Sequence, residues 1–316
     1  MRTLLPIPSI EDAEFIFDPH GVVEELVKYV NLVAAGPSGA GVIIGNYGFG
    51  KTHVMLHLMS ITRRRFSNSL AVYVNSPGQS ILSIYRTFMS RVIEDGLINR
   101  VANELNQPLS ELVSLMMNGG DEARYARQWL LGDPAPQGFR AKYGLPSTRV
   151  SDELTIRFMI DVINALVRQG IGPVLIMLDE LEDVITIGQT RRLQYLSQLR
   201  IFVDNLPSRT LFIASSTPAG WDEVVNTYPA LARRLSSFTV YLRPFSIDET
   251  GRFIGELLRF RGIKLLLSDE VVRVIHEFTE GNPGEVVKAL NLILMEFGGK
   301  DSIDVGRVKE LLSRHV

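Results

Sequence analysis

The sequence contains no cysteine among its 316 residues. This absence excludes disulfide bonds, cysteine-ligated zinc and thiol catalysis. The sequence also lacks any run of about 18 apolar residues, so we expect no membrane-spanning helix. Its first residues carry neither a long apolar stretch nor a cleavage pattern of the kind that predicts a signal peptide. We therefore expect a cytoplasmic protein with no membrane partner.

A charge excess of one sign is also missing, because 33 basic and 35 acidic residues leave a net charge of −2. Such a balance gives no overall basic field of the kind that attracts nucleic acid, although a local basic face is still allowed. Apolar residues make up 46% of the chain and charged residues 22%. These proportions are typical of a globular protein with a sizeable core, built as one large domain or two smaller ones.

Residues 45–52 match the phosphate-binding pattern G-x-x-x-x-G-K-[ST]. Residues 41–44 predict a buried strand before the pattern, and residues 52–60 an apolar helix after it. Glycines let backbone N–H groups turn around phosphates, and the helix adds its positive N-terminal end. A chance glycine-rich turn is the alternative, which the acidic motif downstream disfavours. The residues predicted to bind ATP are Gly45, Asn46, Tyr47, Gly48, Phe49, Gly50, Lys51, for the β- and γ-phosphates, and Thr52, for Mg²⁺.

A continuous apolar run at 173–178 predicts a strand buried on both faces, and it ends in Asp179 and Glu180. Asp179 is predicted to order the Mg²⁺ shell, and Glu180 to polarise the attacking water as a general base. The alternative is a strand that merely ends in solvated acids. Glu182 and Asp183 extend the acidic run, and we expect them to face solvent or a partner without a chemical role.

Hydroxyl residues follow the next apolar run, at 210–215. Ser216 or Thr217 is predicted to sense the nucleotide state from the end of this strand. The alternative is that these hydroxyls only start a turn before Pro218.

Two arginines follow a short helix ahead of the last predicted strand. Arg234 is our first candidate for an arginine finger, which stabilises charge in a neighbouring subunit's transition state, and Arg233 is the second. A solvated arginine pair or a structural salt bridge is the alternative.

Strands predicted at 41–44, 70–74, 173–179, 210–215 and 238–242 alternate with helices, a pattern typical of a parallel α/β sheet. Residues 79–169 predict a long helical insertion. We expect a nucleotide-binding domain over 1–244 and an all-helical lid over 245–316. The first long helix is predicted to begin at Asp18, as N-cap, and Pro19.

The order of these motifs resembles the AAA+ branch of P-loop ATPases, which implies ATP hydrolysis with Mg²⁺ by an oligomer, often a hexamer, with active sites shared between subunits. Residues 280–288 of the lid resemble the G-N-P-R turn of archaeal origin-recognition-type ATPases, in which the arginine senses the γ-phosphate. Gly284 occupies that position here. Lys288, one turn later, is our candidate substitute for the missing sensor.

A further resemblance is to the ATP-binding proteins of bacteriophage-exclusion defence loci. Their patterns G-x-Y-G-x-G-K-[ST]-H, W-L-x-G-[ED]-P and L-D-E-L-E match residues 45–53, 129–134 and 178–182. The first pattern adds His53 to the candidate nucleotide site. This resemblance implies an ATPase that works with DNA-directed machinery, without specifying a substrate.

Three functions remain open at this point. The first is an oligomeric AAA+ ATPase in a DNA-related process such as defence, replication or recombination. The second is a slow nucleotide-dependent switch or scaffold that regulates a protein partner. The third is a replication initiator, for which a winged-helix domain would be expected after the lid. DNA contact would fall to the arginines at 63–65 and 191–192, and it would be weak and sequence-independent. Residues 63–65 also suit a helix C-terminus, where cations match the dipole.

Overall fold

The structure is a computed structural model that describes residues 12–298 and 303–314. Contacts divide the chain into two compact units. The loop–lid unit comprises the described parts of Met1–Glu25, Ile44–Ser60 and Tyr241–Val316, and the sheet unit comprises Leu26–Ile43 and Ile61–Val240. The domain boundary expected after residue 244 stays a prediction.

A parallel sheet of five strands organises the described part of the chain. Its strand order is β2-β3-β4-β1-β5. Val174 pairs with Leu70 on one side and with Thr210 on the other, so β3 has a neighbour along both edges. Every residue of β3 and β4 is buried, as their continuous apolar sequences predict. The strands are β1 Gly39–Ile44, β2 Leu70–Val74, β3 Val174–Leu178, β4 Thr210–Ser216 and β5 Thr239–Tyr241.

Helices connect the strands, and two of them start in the loop–lid unit and continue into the sheet unit. These two are α1 Val22–Ala34 and α2 Lys51–Arg65. The helices that follow up to the last strand are α3 Leu82–Glu94, α4 Leu97–Val101, α5 Leu109–Asn118, α6 Gly120–Leu130, α7 Gln137–Lys142, α8 Asp152–Arg168, α9 Gln189–Asp204, α10 Pro218–Thr227 and α11 Pro229–Leu235. Among the described residues, none of the helices is long and apolar enough to cross a bilayer.

Helices α3 to α8 form the insertion between β2 and β3, as predicted from the sequence. Trp129 is fully buried within it, and its indole N–H donates to Ser147 O at 3.1 Å. The Trp129 ring also meets Phe158 of α8 edge-on, with centroids 6.3 Å apart. A buried tryptophan with its one donor satisfied serves packing well, so Trp129 is part of the insertion's core.

The lid consists of α12 Ile247–Phe260, α13 Asp269–Thr279, α14 Pro283–Phe297 and α15 Val305–Ser313. Ser246 and Glu249 form a capping box at the start of α12, and Ser268 caps α13. Asn282 and Asp304 cap the next two helices through their side-chain oxygens. Apolar side chains from all four helices pack into one core, so the lid has its own hydrophobic cluster.

The first helix begins later than predicted, at Val22 rather than at Pro19. Gly21 adopts a φ of +70°, which cannot belong to a right-handed helix. Asp18 still caps the helix from further away, because its carboxylate accepts hydrogen bonds from the N–H groups of Val22 and Val23 at 2.8 Å each. The predicted helix start was therefore wrong, and Asp18 caps the first turn from outside the helix rather than as the flanking N-cap residue.

Candidate functional site

The phosphate-loop pattern lies between β1 and α2, where the sequence predicts it, and α2 begins at Lys51. Gly48 and Gly50 have φ values of +81° and +89°, which favour glycine. Gly45 is buried, and a Cβ there would lie 2.9 Å from Leu242 Cβ. The glycines of the pattern are thus required by backbone conformation and by close packing.

Lys51 is 7% exposed, and its ammonium group donates to Gly45 O at 2.7 Å. The same nitrogen lies 3.4 Å from Asn46 O and 5.3 Å from the centroid of the exposed Tyr47 ring. The ammonium is therefore held over the loop by two carbonyls and an aromatic face. Thr52 and Phe49 are partly buried beside it.

His53 and its neighbour one turn later, His57, bind the segment that precedes α1. His53 Nε2 lies 2.6 Å from Phe15 O, and His57 Nδ1 lies 2.5 Å from Ala13 O. Phe15 in turn packs on Phe253 of the lid. The structure thus gives His53 a packing role, and its predicted contact with nucleotide stays a prediction.

Asp179, directly after β3, is 2% exposed, and both of its carboxylate oxygens are held. Tyr73 donates its hydroxyl to Oδ2 at 2.8 Å, and the hydroxyl of Ser215 donates to Oδ1. Sequence reasoning missed both partners. The strand register explains the contact with Ser215: Leu178 pairs with Ala214, so the residues that follow them, Asp179 and Ser215, are neighbours.

Glu180 is exposed and has a left-handed backbone, with φ 54° and ψ 46°. Its N–H group donates to Asp179 Oδ1 at 3.1 Å and to Ser215 Oγ at 3.2 Å. A non-glycine residue in this conformation is uncommon and costs free energy, and such residues cluster at functional sites. Here the surrounding hydrogen bonds hold the strained residue at the strand end.

The expectation that Glu182 faces solvent or a partner is wrong. Glu182 is buried in a short 3-10 turn, Leu181–Thr186, and its Oε1 accepts a hydrogen bond from the Thr217 N–H at 3.0 Å. A Cβ on Gly220 would lie 2.3 Å from Glu182 Cβ, so the close approach of α10 encloses this carboxylate. Asp183 is half-buried and accepts a hydrogen bond from Ser76 Oγ at 3.1 Å.

The two candidate sensors have different surroundings. Thr217 Oγ1 caps α10 by accepting from the Gly220 N–H at 3.1 Å, which is the turn-starting role left open for it. Ser216 is fully buried, and its hydroxyl has no hydrogen-bond partner in the part of the chain that the structure describes. Because buried hydroxyls are normally satisfied, Ser216 is the better candidate for a group that bonds a ligand or water.

The two finger candidates on α11 also differ. Arg234 donates from Nε to Asp204 Oδ1 at 2.7 Å and from Nη1 to Ala230 O at 3.3 Å. Arg233 is exposed, and among the described residues its side chain makes no hydrogen bond or ion pair. The structural salt bridge left open as an alternative is therefore present for Arg234.

Gly284, at the position where the resemblance places an arginine, lies at the point where the lid approaches the phosphate loop. A Cβ on Gly284 would lie 3.1 Å from both Cα and O of Gly48, so the backbones are too close for a larger residue without movement. Lys288 is exposed and pairs with Glu285 of its own helix at 2.7 Å. Its substitution for the arginine stays a prediction.

The basic clusters are only partly exposed. Arg63 donates to Ala71 O at 3.1 Å, and burial, with help from nearby Arg91, lowers its pKa. Arg192 pairs with Glu223 at 3.6 Å. Arg64, Arg65 and Arg191 remain exposed.

The donor set predicted for Mg²⁺ fits that ion. Mg²⁺ prefers oxygen ligands and is usually held by one or two carboxylates together with substrate phosphates and waters. The buried Asp179 carboxylate, fixed in orientation by two hydroxyl donors, has this chemistry, as does the Thr52 hydroxyl. No cluster of three or more acidic or histidine side chains with metal-binding geometry is found among the described residues.

Solved structures share the fold of this chain and resemble it weakly in sequence. The Aeropyrum pernix ORC2 protein, in ADPNP–ADP complexes, shares 15% identity at a TM-score of 0.56, with 94% of this chain and 68% of that chain covered. The A. pernix ORC1 protein in complex with DNA shares 13% at 0.57, covering 96% and 67%. Domain III of the Thermotoga maritima replication initiation protein DnaA shares 14% at 0.52, covering 99% and 98%.

The chain has the AAA+ fold. No protein-family model matches the sequence, and no curated protein matches it. The AAA+ fold and the resemblance to origin-recognition-type ATPases are thereby confirmed at the level of architecture. The resemblance to bacteriophage-exclusion proteins finds no counterpart in these matches and stays a prediction.

Proposed function

We propose that this protein is a Mg²⁺-dependent ATPase that hydrolyses ATP to ADP and phosphate. The observation that carries this proposal is the acidic end of β3, where a buried and doubly held Asp179 precedes an exposed, strained Glu180. An ordinary solvated strand end needs neither the two hydroxyl donors nor the left-handed backbone. The AAA+ fold and the complete phosphate-loop pattern support the same conclusion.

Each predicted site residue would have a separate role in ATP hydrolysis. The backbone of 45–50 and the Lys51 ammonium would bind the phosphates, and the Thr52 hydroxyl and Asp179 would hold Mg²⁺. When bound, Mg²⁺ supplies Lewis-acid neutralisation of developing phosphate charge. Glu180 would accept a proton from the attacking water, and the Ser216 hydroxyl would report on the γ-phosphate.

We further propose that the protein acts as a homo-oligomer, with a hexamer as one form, in a DNA-related process. Arg233 on α11 is the exposed cation available to a neighbouring subunit, and Arg234 becomes the second candidate because Asp204 holds it. One similar structure is that of a protein in complex with DNA, which supports the DNA assignment. The proposal is also compatible with a protein partner that is acted on through conformational changes driven by ATP hydrolysis.

Equilibrium titration with a fluorescent ATP analogue tests nucleotide binding directly. Lys51→Ala should weaken binding by about 10- to 100-fold, because it removes charge-assisted hydrogen bonds to phosphate. Lys264→Ala, at an exposed lid position, is the matched control and should bind as the wild type does. A wild-type protein that binds no nucleotide, or a Lys51→Ala variant that binds equally well, would overturn the proposal.

A further inference from the structure

The tip of the phosphate loop is hydrogen-bonded to the turn that opens α14 of the lid. Asn282 donates from Nδ2 to Tyr47 O at 2.9 Å. The Gly284 N–H donates to Gly48 O at 2.9 Å. Two consecutive carbonyls of the loop therefore accept from the same lid turn, and all four residues belong to the loop–lid unit.

Both sides of this contact depend on glycine. A Cβ on Gly48 would lie 2.4 Å from Asn282 Oδ1, and a Cβ on Gly284 would lie 3.1 Å from Gly48 Cα. Gly281, at φ +71°, places the turn against Phe245, where a Cβ would lie 2.0 Å from the carbonyl oxygen. Glycine at 48 and 284 thus permits the close approach of the loop and the lid turn, and glycine at 281 permits the approach of the turn to Phe245.

Asn282 has two roles that only an amide combines. Its Oδ1 caps α14 by accepting from the N–H groups of Gly284 and Glu285, at 3.0 and 3.4 Å. The Nδ2 group therefore faces Tyr47 O. In the flipped amide, Nδ2 would face the N–H groups of Gly284 and Glu285 and Oδ1 would face the Tyr47 carbonyl oxygen, so these hydrogen bonds could not form. The caps Ser268 and Asp304 accept in the same way for α13 and α15.

These bonds fix the peptide planes of the loop tip. In a trans peptide the C=O and N–H point in opposite directions, so holding Tyr47 O turns the Gly48 N–H away from the lid. The next plane is held through Gly48 O, and its Phe49 N–H donates to Asn46 O at 3.2 Å. A peptide flip that would present a carbonyl oxygen to an anion is thereby opposed.

We propose that Asn282 is a positioning residue for the phosphate loop, with Gly284 in support, so that the lid sets the loop in its phosphate-binding shape. This inference rests on the proposed nucleotide-binding function. It also accounts for glycine at the position where the resemblance places an arginine: the lid bonds the loop through its backbone there. Because the contact is to the loop, ATP and ADP should depend on it equally.

Asn282→Ser tests the inference, because serine keeps the helix cap but is too short to reach Tyr47 O. Ser268→Ala is the control, since it removes a cap from the same lid away from the loop. We expect Asn282→Ser to weaken ATP and ADP binding alike, by about five- to tenfold, the value of one hydrogen bond. Hydrogen exchange of residues 45–50 without nucleotide should become faster in Asn282→Ser and stay unchanged in Ser268→Ala.

Gly284→Ala provides a second route if Asn282→Ser does not fold, and the same two changes are expected from it. Wild-type affinity together with unchanged exchange in these variants would overturn the inference while leaving the proposed function standing. A loss confined to ATP would also overturn it, because that result indicates γ-phosphate sensing. If the wild type bound no nucleotide, faster exchange at 45–50 would still support positioning, and only the proposed function would fail.

Discussion

The Thr217 N–H donates to Glu182 Oε1 at 3.0 Å, so a buried carboxylate holds the residue that follows β4. Glu182 Oε2 has no hydrogen-bond partner within the described chain, and neither does the adjacent Ser216 hydroxyl. Glu182 therefore connects the turn after β3 with the end of the next strand, where the sensor candidate lies.

Replacing Glu182 tests this connection. Glu182→Ala leaves the Thr217 N–H unpaired and opens a cavity beside Gly220, so we expect a loss of ~1–3 kcal/mol in the free energy of unfolding, together with slower ATP hydrolysis. Glu182→Gln keeps an oxygen acceptor and should retain most of the stability. Urea unfolding checks both variants. Equal stability of Glu182→Ala and wild type would contradict the assignment.

The two hydroxyls on Asp179 predict a Mg²⁺-specific defect. Tyr73→Phe or Ser215→Ala releases one carboxylate oxygen, and the loss of such a supporting partner typically costs about tenfold or more in metal affinity or activity. We expect ATPase activity to need more Mg²⁺ for half-maximal rate, while nucleotide binding without Mg²⁺ is unchanged. Tyr29→Phe, on a tyrosine stacked with Phe238, is the control. A Mg²⁺ dependence of ATPase activity identical to that of the wild type would contradict this prediction.

The arginine candidates predict an activity that depends on a neighbouring subunit. Arg233→Ala should lower turnover by about 10³-fold, as loss of an arginine finger does, and Arg234→Ala should act mainly through stability by freeing Asp204. A mixture of the Arg233→Ala and Glu180→Gln proteins should recover part of the turnover, because some sites in a mixed oligomer combine an intact Glu180 with an intact Arg233 from the neighbouring subunit. Slow turnover that does not depend on protein concentration and is unchanged in Arg233→Ala would favour the nucleotide-switch alternative.

DNA binding is predicted to be weak and electrostatic. The exposed residues Arg64, Arg65 and Arg191 supply few phosphate contacts, so affinity for a labelled duplex should fall steeply between about 50 and 200 mM salt and show no sequence preference. Fluorescence anisotropy of the Arg64→Ala, Arg65→Ala double variant checks this. Tight binding that survives high salt, or binding unaffected by the variant, would contradict it.

Much of the fold could be predicted because its signals are local. Continuous apolar runs predict the buried strands, and β2 over Leu70–Val74 matches the predicted range to the residue. The start of α1 was missed because the prediction followed Asp18 and Pro19 and overlooked Gly21, whose left-handed backbone decides the outcome.

The residues of the candidate site that belong to a sequence motif could be predicted. Those whose surroundings depend on packing between distant parts of the chain could not. Asp179 and Glu180 follow from the strand that precedes them. The burial of Glu182 depends on α10 closing over it at Gly220, a contact between residues far apart in the sequence. The role of Asn282 likewise depends on a turn 235 residues away from Tyr47.

The most direct test of the ATPase proposal is steady-state ATP turnover of Glu180→Gln beside its ATP affinity, with Glu256→Gln at an exposed lid position as the control. Loss of the general base should lower turnover by about 10²- to 10⁴-fold while ATP affinity stays close to that of the wild type. The control should hydrolyse ATP normally. Unchanged turnover in Glu180→Gln would contradict the account, because the acidic end of β3 would then not carry the chemistry.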